Sequence, residues 1–289
     1  MLSIKTVFGY VLYGLAAAVV FLYLLFPGPA VSEYLNGRLA AVDPSLSLVV
    51  TTVRPTIPPG LKLSGVAVNG SDGRLANFDT VRVRPDWKSV WGDEKRIRFR
   101  AGLADGTVDG LATLAGSDPM GQVQVQADLS QIRLEQLDAL AMDERFYLSG
   151  LLKGKLVYDY STAATGTTNG SLNVSGMRIG LESPVLGIGE LVMEQTSADF
   201  FFDGQTLRLK ALVFNGPMLD GKISGSVQMR RPVQQSRLSL GGNAKPQPEL
   251  VAQLQETIAQ GVVNMRTLGT RGLNFRIGGT IGSPDVSLR

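Results

Sequence analysis

Residues 122–129 read QVQVQADL. Successive side chains of an extended chain point to opposite faces, so Val123, Val125, Ala127 and Leu129 share one side and the three glutamines the other. That pattern predicts a strand with one face buried and one wet. The same period of two recurs outward in both directions. On the amino-terminal side it predicts strands over 45–50, 61–68, 75–84, 96–103 and 106–114. On the carboxyl-terminal side it predicts 147–158, 170–179, 190–202, 206–214, 222–229 and 236–240. In 61–68 strict alternation places Leu61, Leu63, Gly65 and Ala67 on one face and Lys62, Ser64, Val66 and Val68 on the other. Asn69-Gly70, Asp72-Gly73 and Asp105-Gly106 supply the positive-φ residues of tight hairpin turns. Short connections between strands favour an antiparallel meander.

Four stretches depart from this period. Residues 32–42 fit a short amphipathic helix, with Ser32 as cap, Val31, Leu35, Leu39 and Val42 on one face, and Pro44 as its end. Residues 130–142 place Ile132, Leu134, Leu137, Leu140 and Ala141 at helical spacing behind Ser130, which predicts a second helix. A third is predicted over 248–259, starting at Pro248, with Leu250, Leu254 and Ile258 on its apolar side. Trp87 and Trp91 lie in a short turn or helix, where they cap the core or meet a partner or a membrane surface; core capping is the favoured expectation. The chain ends in a strand broken near Gly278-Gly279.

Ahead of this body, residues 7–26 read VFGYVLYGLAAAVVFLYLLF, with no charge and no proline. About 20 apolar residues cross the hydrocarbon core as one helix. Val7, Phe8, Tyr10, Leu15, Phe21, Tyr23 and Phe26 are the expected anchor residues. A cleaved signal has a shorter apolar core and a small-residue cleavage site. Here the run is longer and Pro29 sits where cleavage would fall, so an uncleaved, single-pass anchor is expected. Lys5 before the run, with no acid beside it, places the amino terminus in the cytoplasm and the bulk of the chain outside it.

Composition narrows the chemistry. The 289 residues contain neither histidine nor cysteine. This removes thiol and histidine-assisted nucleophiles and the usual zinc and haem ligands. The net charge of +3 arises from 28 basic and 25 acidic residues interspersed along the chain, which argues against a nucleic-acid surface. RIRFR (96–100) reads as the wet face of a strand. No phosphate-binding loop, dinucleotide fingerprint or nucleophile elbow occurs. Asp105, Asp109, Asp203 and Asp220 each precede glycine and read as turn residues rather than a catalytic pair. Tyr158 and Tyr160 share a strand face. The expectation is a protein without enzymatic activity, cofactor or metal.

Two blocks repeat an order of elements. DGTVDGLATL leads to QVQVQADLSQIRLEQLDAL and then YLSGLLKGKLVYDY; DGKISGSVQM leads to SRLSLGGNAKPQPELVAQL and then RGLNFRIGGTI. Asp105 to Asp220 and Gln122 to Arg237 share one offset, which points to duplication. The expected organisation is an anchor (1–29), a linker helix (30–44), a first β repeat with a helix (45–145), and a second β repeat with a helix and a terminal strand (146–289). The expected fold is mainly β: a transmembrane helix, then a long, curved antiparallel sheet forming a trough or half-barrel with a few short helices.

The anchor running into FPG (26–28), LKLSGVAV with LANFDTVRVRPDW, DGTVDG, DGKISG and the terminal GGTIGSP together resemble the type II secretion system protein N family, itself distantly AsmA-like. The resemblance covers nearly the whole chain and carries no catalytic residue. It implies a non-catalytic accessory component of the secretion apparatus in the inner membrane, facing the periplasm. Its implied partners are the inner-membrane platform and the secretin. The AsmA-like relationship implies the alternative of a lipid held in an apolar groove.

Overall fold

The computed structural model describes residues 21, 23–42, 45–70, 73–89, 91–115, 121–138, 140, 146–161, 164–185, 188–248, 250 and 272–288, with isolated positions 10, 13, 14 and 17. Among these, fourteen strands form one antiparallel sheet whose spatial order is the chain order. The strands are β1 (Ser47–Thr56), β2 (Gly60–Gly70), β3 (Gly73–Pro85), β4 (Glu94–Leu103), β5 (Gly106–Ala115), β6 (Gln122–Arg133) and β7 (Phe146–Ser161). They continue as β8 (Ala164–Val185), β9 (Ile188–Phe202), β10 (Thr206–Asn215), β11 (Leu219–Gln228), β12 (Arg237–Pro246), β13 (Leu273–Gly279) and β14 (Pro284–Leu288). The sheet is open, because β1 and β14 are each paired on one side only. Odd-numbered connections (β1–β2, β3–β4 and so on) lie at one end, called here the near end, and even-numbered ones at the far end.

The helix α1 spans Gly28–Val42 and so starts earlier than its expected first residue. Pro29 sits in its first turn, where no intrahelical N–H is needed. Ser32 is therefore not the cap; its hydroxyl donates to the Pro29 carbonyl (2.7 Å). Val31 and Leu35 pack with Phe26 on buried Val53, Leu63 and Val66. Leu48 N–H donates to Asn36 Oδ1 (2.8 Å), fastening the helix along β1.

Two expectations are corrected. The first concerns 61–68. Gly65 has φ +60°, and this positive-φ residue turns the strand over. Val66 therefore joins Leu63 in the same buried cluster instead of facing away. The second is the helix over 130–142. Residues 130–133 continue β6, and among the described residues of this stretch only Leu134–Gln136 form a single 3-10 turn. Gln131 has φ +56° and the β6–β7 register shifts between Leu129 and Ile132. The break expected near Gly278-Gly279 is present: Gly279 (φ +74°) opens a turn, and the chain beyond it returns as β14, antiparallel to β13. In the helix expected over 248–259, Pro248 and Leu250 are helical; 249 and 251–259 lie outside the described residues.

Turn chemistry is visible between β9 and β10. Asp203 Oδ1 accepts from the backbone N–H of Thr206 (2.7 Å) and of Gln205 (3.1 Å). The Thr206 and Gln205 donors hold the Asp203 carboxyl below its ordinary pKa. A depressed pKa contributes stability that is fully present above the unfolded-state value and is lost as pH falls through the folded-state value. Asp203→Ala should therefore flatten the acid limb of the stability profile. Chemical-shift titration should place the Asp203 midpoint below that of Asp in an unstructured peptide; a midpoint at or above it refutes the account.

Candidate functional site

Antiparallel partners put their side chains on the same face, so the register reads each face directly. One rung begins with Pro55, Leu61 and Val83 on β1–β3 and passes to Phe99 on β4. It continues through Gly110, Ala127, Leu156 and Gly170 on β5–β8. It ends through Phe200, Leu209, Gly225, Leu240, Ile277 and Val286 on β9–β14. No side chain in that rung carries a charge or a hydrogen-bonding group. A neighbouring rung carries Leu172, Ala198 and Leu212. The glycines have a reason here: the Phe99 ring lies over Gly110 and the Phe200 ring over Gly170, so a Cβ at either position would strike the ring.

This apolar face is covered by α1 at β1–β3 and by the cluster of Ile132, Leu134, Leu152 and Ala104 between β4 and β7. Elsewhere most of its side chains are half-buried, and Val286 is 60 % exposed. Tyr158 is on this face and burial raises its pKa, with Tyr160 adding to it.

The opposite face is polar and its charges are sorted. Arg54, Lys62, Arg82 and Arg100 face one another in sequence across β1–β4. Arg84 faces Arg98 one rung nearer the turns. Asp109 and Asp128 follow on β5 and β6. An open groove of about 900 Å³ lies over this region, walled by Arg82, Arg84, Arg98 and Arg100 and by Pro58 and Trp87 from the near-end turns. The sequence shows these charges interspersed; cross-strand register gathers them.

Trp87 is 52 % and Trp91 94 % exposed in the β3–β4 turn, so neither caps the core. Tyr10, Phe21 and Tyr23 are helical and exposed, while Phe26 packs on the Val53 cluster. Val7, Phe8 and Leu15 lie outside the described residues, as does most of 7–26. Among the described residues no helix is long and apolar enough to cross a membrane. Asp105 accepts from Gln136 Nε2 (2.7 Å), Asp109 pairs with Arg100, and Asp220 accepts from Gly216 N–H (3.1 Å) and from Gln247. Asp109 and Asp128 do face each other across β5 and β6, but each has its own cation, Lys155 lying 3.7 Å from Asp128. Among the described residues no three acidic groups converge as a metal site. On the polar face the Tyr147 hydroxyl donates to Glu190 (3.0 Å), and this hydrogen bond raises the Tyr147 pKa.

No family model, curated protein or solved structure matches the chain.

Proposed function

We propose that this chain is a non-catalytic envelope protein, tethered to the inner membrane by residues 7–26, whose apolar sheet face shields the hydrocarbon of a lipid. The supporting observation is the rung from Pro55 to Val286, apolar over all fourteen strands and half-open to its surroundings. A soluble monomer rarely exposes a contiguous apolar patch beyond a few hundred Å². Acyl chains satisfy such a face without any hydrogen-bond partner. The single-pass tether, with the bulk of the chain in the periplasm, places that face beside a lipid source. The test is mass spectrometry of lipids retained by the full chain after purification in mild detergent. Phospholipid above the level carried by an unrelated single-pass protein is expected; background lipid alone refutes the reading.

A second reading is an accessory component of the type II secretion system, as the sequence resemblance implies. The two one-sided edges, β1 and β14, favour it, because an unpaired edge accepts a strand from another subunit. Crosslinking in intact envelopes followed by pull-down should then recover platform or secretin subunits through β1 or β14. Recovery of neither excludes it.

A further inference from the structure

We infer that the near end of the sheet, around the β1–β2 and β3–β4 turns, docks onto the headgroups of an anionic bilayer. The inference rests on reading residues 7–26 as a membrane tether, and goes beyond that reading by assigning a second, electrostatic contact to the sheet itself.

Like charges placed directly opposite in adjacent strands are destabilising. Here Arg54, Lys62, Arg82 and Arg100 stand opposite one another across four strands, with Arg84 opposite Arg98 in the next rung. Some of this charge is met within the chain: Arg98 pairs with Asp86 (3.6 Å), Arg96 with Glu94 (3.0 Å), and Arg100 with Asp109. Among the described residues, Arg54, Lys62, Arg82, Arg84 and Lys88 stand in no ion pair. An array of unneutralised cations on one face is complementary to an anionic surface.

Exposed apolar side chains accompany the charge. The two turns at this end present Ile57 (78 % exposed), Trp87 (52 %) and Trp91 (94 %) to their surroundings. Indole rings prefer the headgroup region of a bilayer, where the apolar ring and the N–H are both satisfied. A nucleic acid or an acidic protein segment would use the cations but gives no reason for an exposed isoleucine at the tip.

A Cβ at Gly28 would lie 2.8 Å from the Val53 carbonyl, and Val53 is three residues from the near end of β1. The chain then runs as α1 towards the far end, where β1 begins. Residues 7–26 are thus joined to the body beside the near end, and a tether there brings the basic, tryptophan-tipped turns to the membrane surface.

Trp87 and Trp91 are the only tryptophans in the chain, so intrinsic fluorescence reports this contact alone. The full chain is reconstituted in nanodiscs of phosphatidylcholine, or of phosphatidylcholine with phosphatidylglycerol, each with brominated acyl chains. Stronger quenching and a blue shift are expected in the anionic discs, and both should decline with salt. Each basic residue at an anionic surface is worth about a fivefold change in partitioning. Arg82→Gln with Arg84→Gln should therefore weaken the docking equilibrium about 25-fold, read as loss of the extra quenching in the anionic discs. Arg178→Gln, on the polar face away from these turns, should leave it unchanged. Circular dichroism checks that all variants are folded. Equal quenching in both lipids, or none in either, overturns the inference. So does a spectral shift produced by polyglutamate but not by lipid charge, which would assign the face to an acidic protein. Alkaline washing of native membranes tests the tether separately. Release of the chain overturns the tether reading, whereas anionic-lipid-dependent quenching by added vesicles would still support the docking face.

Discussion

Ile132→Ala is expected to destabilise the sheet by about 2–5 kcal/mol, the range for truncating a fully enclosed aliphatic side chain. Ile132 has no solvent exposure and is the centre of the cluster formed with Ala104, Leu134 and Leu152. Its position depends on the bulge at Gln131, and Arg133 N–H donates to the Ala104 carbonyl (3.0 Å), tying the end of β6 to the β4–β5 turn. Gly106 fills the same locus from the other side: a Cβ there would lie 2.7 Å from the backbone of Gln131 and Ile132. Gly106→Val should therefore cost as much or more, because backbone rather than a flexible side chain must move. Both changes loosen one site, so the double variant should lose less than the sum of the two. Urea denaturation of the full chain in detergent measures all three, and hydrogen exchange should place the lost protection in β5–β7. A loss under about 1 kcal/mol for Ile132→Ala would mean that the site collapses without leaving a cavity, and would refute the account.

This locus also explains why part of the fold was hard to read. Leu129, Ile132, Leu134 and Leu137 are spaced three, two and three apart, which imitates the period of an amphipathic helix. The spacing comes from the extra residue of a bulge, which moves the next apolar side chain back to the covered face. In β2 the positive φ of Gly65 switches the face with no shift of register, so strict alternation assigns Val66 to the wrong side. Where no bulge intervenes, as in 122–129 and in the hairpin at Asp105-Gly106, period and turn residues give strand, face and partner together. The basic face was illegible for another reason. RVR in β3 and RIRFR in β4 each read as an ordinary wet edge of alternation. Only the length of the intervening turn sets Arg82 against Arg100 and Arg84 against Arg98, and turn length has no periodicity to read. The usual burial of tryptophan predicts a core position for Trp87 and Trp91, which their exposed turn overrides.

Ala198→Asp is expected to reduce the lipid retained by the purified chain more than tenfold, if acyl chains occupy the apolar face. Ala198 lies between Leu172 and Leu212 and is half-buried. An ionised carboxylate there has no cation among its cross-strand neighbours, and burying such a charge under hydrocarbon costs several kcal/mol, which exceeds the ~1.4 kcal/mol of a tenfold change in binding. The adjacent Ser197 points to the polar face, opposite Asn173 and Val213, and is exposed. Ser197→Asp adds the same charge one residue away and should leave the lipid content unchanged. Because the two variants add the same charge to adjacent positions of one strand, a difference between them reads the face and not the charge. Lipid-to-protein ratios by mass spectrometry, with thermal melts alongside, make the comparison. Equal lipid in Ala198→Asp and the unmodified chain would remove hydrocarbon from this face and leave a protein segment as its cover. In that case Ala198→Asp should instead lower the melting temperature, since the carboxylate would then interrupt a contact between parts of a folded assembly.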